Sequence, residues 1–314
     1  MRDILFVKTS SLGDVVHHMP AVTDAARHFP GRKLAWIVEE DFAPLARLHP
    51  DIGDVIPVST RRWRSAPFAP STWSEIGAFR AALRGRDDAT VIDTQGLIRS
   101  ALIVRSTKGE KHGYDRKSIR EPLASSVYDV THTVLRELHA VARNRVLTAL
   151  ALGYQLDDAI DYGLPRAQPA GIAPYAILQH GTSRADKEWR EVDWIGLGQW
   201  LSKRGLEVVL PWGTQAERVR SERLAGAIKG SRILQRQPLD ITAQTFAGAS
   251  LVVGVDTGLL HLAAAYRVPL LAIFIATDPG LTGPVGSGPI KVLDARLQYL
   301  SFMRAIEAAE ALLD

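Results

Sequence analysis

The chain has 314 residues, of which 46% are hydrophobic and 23% charged, with a net charge of +4 and no cysteine. This length exceeds the usual size of one hydrophobic core and favours two domains. The lack of cysteine excludes disulfides, thiolate metal ligands and a cysteine nucleophile. No apolar run approaches the roughly 20 residues that span a bilayer, and no signal-peptide pattern precedes the first strand. A soluble cytoplasmic protein is therefore the default expectation.

Positive charge is concentrated in one part of the chain. Residues 59–120 contain 13 Lys and Arg residues against 6 Asp and Glu residues. Such a basic patch suits a phosphate-rich partner, a nucleic acid or an anionic membrane surface. A solvated basic surface without a partner is the alternative.

Apolar runs and helical patterns alternate through the first half of the chain. The predicted elements are strand 4–7, helix 15–28, strand 34–38, helix 42–48, strand 54–58, strand 90–93, a helix from 97 and helix 139–152. Residues 106–132 are polar and basic, and we interpret them as an irregular loop region. A cluster of glycine and proline residues over 153–174 predicts a linker.

The same alternation begins again after the linker. The predicted elements are strand 175–180, helix 192–204, strand 207–210, helix 217–228, helix 241–247, strand 253–256, a helix after it, strand 269–274 and helix 302–313. This pattern predicts an α/β protein with two doubly wound, Rossmann-like domains. Neither the G-x-G-x-x-G fingerprint nor a P-loop is present in the first turn, which weakens a nicotinamide or P-loop interpretation.

Asp14 stands in the turn between the first strand and the first helix, directly after Gly13. A carboxylate at such a turn can act as a general base and accept a proton from an incoming hydroxyl group. An Asp at this position can equally cap the helix that follows. The residues alone leave both roles open.

A second glycine turn, Val255-Asp256-Thr257-Gly258, joins a buried apolar run to a helix that carries His261. Ligands of open α/β sheets bind at such strand ends, and a helix N-terminus offers unpaired N–H groups to an anion. The alternative is that Asp256 or Thr257 only caps the helix and that His261 is a core residue.

The turn after strand 175–180 contains Thr182, Ser183 and Lys187. Hydroxyl groups donate hydrogen bonds to phosphate oxygens and lysine adds positive charge, so this turn suits a diphosphate. No metal site is expected, because the sequence has no Asp-x-Asp pair and no His or Cys ligand spacing. No G-x-S-x-G elbow supports acyl transfer.

Several of these stretches together resemble the lipopolysaccharide heptosyltransferase family, in particular its heptosyltransferase I group. They follow the same order and spacing from residue 1 to about residue 300, and are Val7–Asp14, Trp36–Glu40, Arg61–Arg64, Arg120–Ser125, Leu210–Gly213 and Val255–Leu259 with His261. The resemblance implies a GT-B fold, with an N-terminal acceptor-binding domain over 1–165 and a C-terminal ADP-heptose-binding domain over 166–314. It also implies that the last helix, about 300–313, packs back on the N-terminal domain.

The resemblance further implies the reaction and the residues that perform it. The reaction is an inverting transfer of L-glycero-D-manno-heptose from ADP-heptose to the inner Kdo of Kdo-lipid A, with no metal and no cofactor. Asp14 matches the catalytic base, and Lys187 matches a catalytic group that also binds the donor. The other donor-binding positions are Thr182, Ser183, Glu217, Asp256, Thr257, Gly258 and His261. The acceptor-binding positions are Ser11, Gly13, Arg61, Arg62, Arg64 and Arg120.

Two stretches depart from the family pattern: Gly181-Thr182-Ser183, which keeps both hydroxyl groups, and Phe274–Gly280, which lacks a glycine-proline pair.

The resemblance implies peripheral association with the cytoplasmic face of the inner membrane through the basic patch, and no nucleic-acid partner. Three alternatives stay open. They are a heptosyltransferase that adds the second heptose, a sugar-nucleotide epimerase of similar fold, and a non-catalytic binder of anionic lipid or nucleic acid.

Overall fold

The fold is that of a computed structural model of the chain, which describes residues 3–166 and 173–314. The chain divides into two compact units between Gly163 and Leu164. The predicted domain boundary lies two residues further on, and part of the predicted linker, residues 167–172, lies outside the described residues. Over the two described ranges, no helix is long and apolar enough to cross a membrane.

The first unit is a parallel sheet with helical connections. Its strands are β1 (Ile4–Val7), β2 (Leu34–Glu39), β3 (Ile52–Val58), β4 (Thr90–Asp93), β5 (Glu110–Tyr114) and β6 (Val130–His132). Its helices are α1 (Leu12–His28), α2 (Ala43–Ala46), α3 (Thr60–Ser65), α4 (Pro70–Gly85), α5 (Ile98–Val104) and α6 (Ala140–Leu152). The strands lie in the order β3-β2-β1-β4-β5-β6.

The second unit repeats this plan. Its strands are β7 (Tyr175–Gln179), β8 (Glu207–Leu210), β9 (Ser231–Ile233), β10 (Leu251–Val255), β11 (Leu270–Phe274) and β12 (Ile290–Asp294). Its helices are α7 (Glu191–Lys203), α8 (Gln215–Ala227), α9 (Leu239–Ala247), α10 (Gly258–Ala265) and α11 (Phe302–Leu313). The strand order β12-β11-β10-β7-β8-β9 is the first order read from the other edge. Both sheets thus have the Rossmann order, with a switch point between β1 and β4 and between β7 and β10.

The apolar runs predicted the central strands correctly because these strands are completely buried. Every residue of β1, β7 and β10 is buried, because helices cover both faces of a parallel sheet. Trp36 fills the core of the first unit, and Trp194 on α7 fills that of the second.

The interpretation of residues 106–132 as an irregular loop region is wrong, since β5 and β6 lie within it. The polar side chains of Glu110 and Lys111 interrupt the apolar run in β5, which lies next to β6, the edge strand of the sheet. A close approach also holds them in place, because a Cβ atom on Gly113 would lie 2.2 Å from the Tyr128 ring. Helices α3 and α4 and strands β9 and β12 also went unpredicted, because none of them is an uninterrupted buried run.

The last helix spans Phe302–Leu313, as predicted, and packs on elements of the second unit. Its small buried residues, Ala305 and Ala309, lie in the apolar core that α7 and the strands of that unit form. Gly196 on α7 leaves room for the Phe302 ring, since a Cβ atom there would lie 2.7 Å from it. That the last helix also packs back on the N-terminal domain, as the resemblance implies, stays a prediction.

Candidate active site

Asp14 lies in the first turn of α1, directly after β1 at the switch point of the first unit. The backbone N–H of Ser11 donates to its Oδ2 atom at 2.7 Å, and the Ser11 hydroxyl does so at 3.1 Å. The carboxylate therefore does cap the helix, through a capping box. Its side chain nevertheless remains 40% exposed, so the cap and a reactive role are compatible.

A buried lysine faces the other oxygen of this carboxylate. Lys8 Nζ lies 3.8 Å from Asp14 Oδ1, and the Lys8 side chain is only 7% exposed. The Nζ atom also donates to the Thr94 carbonyl oxygen at 3.0 Å. Burial lowers the pKa of Lys8, while the nearby carboxylates of Asp14 and Asp93 oppose that shift. The end of β1 thus holds a desolvated amino group beside the predicted base.

The turn that carries these residues is fixed from the neighbouring strand. Gln95, after β4, accepts hydrogen bonds from the backbone N–H groups of Thr9 (2.9 Å) and Ser10 (3.0 Å). Asp93 is fully buried and accepts from the Tyr128 hydroxyl at 2.8 Å. Burial raises the pKa of Asp93.

The predicted acceptor-binding arginines fall into two groups. Arg61 and Arg62, on α3, are already engaged: the Arg61 guanidinium lies 3.3 Å from the Asp41 carboxylate, and the Arg62 guanidinium pairs with Glu75 at 2.7 Å. Two hydrogen-bonded carboxylates, those of Glu40 and Glu75, raise the pKa of Arg62. The remaining two, Arg64 and Arg120, are exposed.

Arg64 and Arg120 have no hydrogen-bond or ion-pair partner within the described ranges. The positive charge of Arg120 is close enough to contribute to the lowering of the Lys8 pKa. Ser11, as described, holds Asp14, and Gly13 is buried in the first turn of α1. The first unit therefore brings Ser11, Gly13 and Asp14 together at the end of β1, with Arg120 within electrostatic reach.

The second unit gathers the predicted donor-binding groups at its own switch point. Asp256, after β10, accepts a hydrogen bond from Lys187 Nζ at 2.7 Å on its Oδ2 atom. The Thr277 hydroxyl donates to the same oxygen at 2.6 Å, and the Thr182 hydroxyl donates to the Asp256 carbonyl oxygen at 2.9 Å. Lys187 and Asp256 are 14% and 18% exposed. A half-buried ion pair thus links three loops, and we call Thr182, Lys187, Asp256 and Thr277 the lysine cluster.

Glu217 lies in the first turn of α8, beside the loop after β7 that carries Thr182 and Lys187. Its Oε2 atom accepts from the backbone N–H groups of Gly213 (2.6 Å) and Thr214 (3.1 Å). The carboxylate lies against Gly181, where a Cβ atom would be 2.6 Å from Glu217 Cδ. A glycine at 181 is therefore required for this placement, and the Oε1 atom takes no part in these hydrogen bonds.

The remaining predicted donor residues lie around the start of α10. Thr257 occupies the N-cap position without a side-chain capping bond, and Gly258 begins the helix. Their backbone N–H groups supply the partial positive charge of a helix N-terminus. His261 is buried. Ser183 is exposed beside Thr182.

Sequence reasoning missed Lys8, Gln95 and Thr277. Lysine is rarely buried, so nothing in its local pattern marks Lys8 as an inside residue. Gln95 stands beside Gly96 in a strand-end turn, and this turn was the available signal. Thr277 lies in the stretch that departs from the family pattern, yet the structure brings its hydroxyl group to Asp256.

The chain is similar to known proteins over most of its length. The model of glycosyltransferase family 9 (heptosyltransferase) matches residues 76–304. Lipopolysaccharide heptosyltransferase 1 of Pseudomonas aeruginosa is 46% identical over 292 residues, covering 91% of this chain and 82% of that protein. The E. coli heptosyltransferase WaaC with ADP has a TM-score of 0.93 and 40% identity, over 99% of this chain and 100% of that one. The WaaC structure with ADP-2-deoxy-2-fluoro heptose has a TM-score of 0.91 and 40% identity, over 99% of both chains.

Proposed function

Since the chain belongs to glycosyltransferase family 9, the heptosyltransferases, we propose that it moves L-glycero-D-manno-heptose from ADP-heptose to the inner Kdo of Kdo-lipid A. Relatives that share 40% or more of its sequence are lipopolysaccharide heptosyltransferases. Inversion at the anomeric carbon, the Kdo-lipid A acceptor and independence from metal ions are the further parts of the proposal.

The lysine cluster at the switch point of the second unit is the observation that carries the donor assignment. A similar chain has been solved with ADP-2-deoxy-2-fluoro heptose and matches this one over 99% of its length. In this protein Lys187, two threonine hydroxyl groups and the start of α10 meet at one sheet edge. A cation, hydroxyl donors and a helix N-terminus are the groups that bind a diphosphate.

Asp14 is the proposed base of a single in-line displacement. It takes the proton of the acceptor hydroxyl as that oxygen forms a bond to the anomeric carbon of the heptose. The bond from this carbon to the ADP oxygen breaks on the opposite face, and the configuration inverts. Ser11 fixes the Oδ2 atom of Asp14, so that the carboxylate does not need to reorient during the reaction.

Lys187 and the N-terminus of α10 are proposed to stabilise the negative charge that develops on the departing ADP. In this role they replace the divalent cation that neutralises diphosphates in other sites. The described residues contain no group of three or more His, Asp or Glu side chains that could hold a metal ion. Metal independence is tested by activity in the presence of EDTA.

The exposed arginines support the acceptor side of the proposal. Arg64 and Arg120 are free to pair with lipid phosphates or Kdo carboxylates, whose planar oxygens match the guanidinium fork. To bind such a ligand, the Arg61 guanidinium would have to exchange Asp41, and that of Arg62 would have to exchange Glu40 and Glu75; otherwise both only shape the site. The same patch is proposed to hold the protein peripherally at the cytoplasmic face of the inner membrane, without a nucleic-acid partner.

Replacement of the base tests the mechanism. We expect Asp14→Asn to retain the helix cap, because an amide oxygen still accepts from Ser11, and to lose about 10²–10⁴-fold in turnover. The assay follows ADP release from ADP-heptose and Kdo-lipid A with EDTA present, and NMR assigns the anomer formed. Asp51→Asn is the matched control, since the Asp14 and Asp51 side chains are 40% and 43% exposed.

The same assay separates the alternatives. Near-normal turnover by Asp14→Asn, or a retained anomeric configuration, would contradict the mechanism. Transfer only to an acceptor that already carries one heptose would identify an enzyme of the second step. Conversion of ADP-heptose without an acceptor would indicate an epimerase, and binding of the lipid without ADP release would indicate a non-catalytic binder.

A further inference from the structure

A small apolar groove lies in the first unit, on the side of the site where the acceptor arginines are. Helices α3, α4 and α5 form it, and its volume is about 170 Å³. Its walls include the side chains of Trp63, Ile76, Phe79, Leu102 and Ile103. The rings of Trp63 and Phe79 contact each other edge to face at 5.7 Å, which holds α3 on α4.

Large apolar side chains remain exposed on two of the helices that form this groove and on the connection between α3 and α4. Leu102 is 49% exposed, and Ile98, one turn earlier on α5, is 43% exposed. The connection between α3 and α4 carries Phe68 at 94% exposure, and Trp73 in the first turn of α4 is 63% exposed. Apolar side chains grouped on a surface with a polar rim mark a binding site for an apolar partner.

One arginine joins the groove to the proposed base. Arg99 lines the groove, and its guanidinium group donates to the Ser10 hydroxyl at 2.6 Å. Ser10 precedes Ser11, which holds Asp14. The Nε atom of Arg99 is buried and has no hydrogen-bond partner among the residues that the structure describes. A polar head that lies at Asp14 would therefore meet Arg99 before its apolar part enters the groove.

The rim of the groove is positively charged. Arg80 and Arg99 line it, and the exposed Arg64 follows Trp63 directly on α3. An apolar interior with a cationic rim complements a molecule that joins an anionic head to a hydrocarbon chain. A concave site between three helices fits one narrow chain better than the flat surface of a bilayer.

We propose that this groove binds a segment of an acyl chain of the lipid acceptor while the sugar and phosphate head lies at Asp14 and the arginines. The inference rests on the proposed function, because only a lipid acceptor brings such a chain to this place. Each methylene that enters contributes roughly fourfold in affinity. A few methylenes in the groove therefore lower the KM of an acylated acceptor relative to a deacylated one by about tenfold or more.

The test compares Kdo-lipid A with its fully deacylated form, both in the same detergent. We expect Leu102→Asp to raise the KM for the acylated acceptor about tenfold, because a carboxylate at the mouth opposes entry of hydrocarbon. On the deacylated acceptor its kcat/KM stays within about twofold of the wild type. Ile76→Trp fills the groove without adding charge and is expected to act in the same direction. Leu150→Asp on α6 is the matched control, because Leu150 is 48% exposed against 49% for Leu102.

Several outcomes would overturn the acyl-chain site. One is an equal change for both acceptors, which would show that the groove shapes the head-group site instead. A second is no change in either variant while both remain folded by circular dichroism. A third is loss of binding to acceptor-free anionic vesicles with no change on dispersed acceptor, which would identify a bilayer contact. If the wild type transfers heptose to neither acceptor, the proposed function itself fails, which is a separate result.

Discussion

At the scale of single residues, the two switch points hold charge in different ways. In the first unit Lys8 is 3.8 Å from Asp14 Oδ1 and is not hydrogen-bonded to it, while Ser11 holds Oδ2, so the Oδ1 atom is left free to take a proton. In the second unit Lys187 and Thr277 both donate to Asp256. Asp256 therefore positions the cationic group, and in the proposed mechanism Lys187 meets the leaving group.

Thr277 is expected to be a positioning residue for this ion pair. Thr277→Val removes a hydrogen bond to a charged group, which contributes about 1.5–3 kcal/mol, and should lower kcat/KM for ADP-heptose by roughly 10–100-fold. Steady-state kinetics at saturating acceptor measure this change. Thr277→Ser should restore most of the loss because it keeps the hydroxyl group. The exposed Thr282, in the same loop, provides Thr282→Val as a control, and equal losses in the two valine variants would refute the role.

At the scale of elements, the loops after β7 and β8 are fitted to each other. Glu217 closes the first turn of α8 through its capping box, and its carboxylate rests on Gly181. The donor-binding loop and the helix N-terminus are thereby coupled, so a change at Gly181 acts on both.

Gly181→Ala is expected to displace the Glu217 carboxylate, because the new Cβ atom would lie 2.6 Å from Glu217 Cδ. Loss of the cap should lower the free energy of unfolding by about 1 kcal/mol, and the affinity for ADP should fall about tenfold. Thermal denaturation and ADP titration calorimetry measure the two effects.

Gly226→Ala is the contrasting variant on the same helix. A Cβ atom at Gly226 meets no atom within 4 Å, so the substitution should stabilise α8 by about 0.5–1 kcal/mol. If Gly181→Ala and Gly226→Ala shift the free energy of unfolding in the same direction, the inferred clash between a Cβ atom at position 181 and Glu217 is refuted.

At the scale of the whole molecule, two units of the same topology each form their own core, and each contains a buried histidine. Burial lowers the pKa of His49 in the first unit and of His180 in the second to about 4. His49 Nε2 lies 2.9 Å from the Thr23 hydroxyl, and its Nδ1 atom accepts from the Asp51 backbone N–H at 3.3 Å. Gly163, at a φ of +69°, closes over this ring at the end of the first unit.

Stability should therefore fall with acidification before the carboxylates titrate. The pKa of His49 is about 4 in the folded state and about 6.5 when unfolded, so the unfolded chain binds a proton first as the pH drops. This contribution is lost between about pH 6.5 and pH 4 and amounts to at most about 3 kcal/mol. His49→Gln should flatten the dependence of the unfolding free energy on pH in that window. Urea denaturation at several pH values measures it, with His28→Gln, at an exposed position, as the control. An unchanged slope in His49→Gln would rule out this contribution.

The family relationship and the fold were both accessible from the sequence. The predicted α/β fold of GT-B class is confirmed by the match to WaaC, and the predicted heptosyltransferase family is confirmed by the family model and the curated relative. Asp14, Lys187 and Asp256 could be chosen because they follow apolar runs at glycine turns. Their catalytic and binding roles stay predictions until the variants are measured.

The sequence by itself determined the central strands, most helices and the strand ends that carry polar groups, because a buried parallel strand is a continuous apolar run that local reading detects. Only the tertiary structure decided which polar groups meet. Gln95 on the backbone of Thr9 and Ser10, Thr277 on Asp256 and Glu217 against Gly181 join positions from different loops. Strands β5 and β12 and the packing of the alanine face of α11 were likewise decided by neighbours distant in sequence. Such contacts depend on how the sheet brings chain segments together, and no local pattern of residues encodes that.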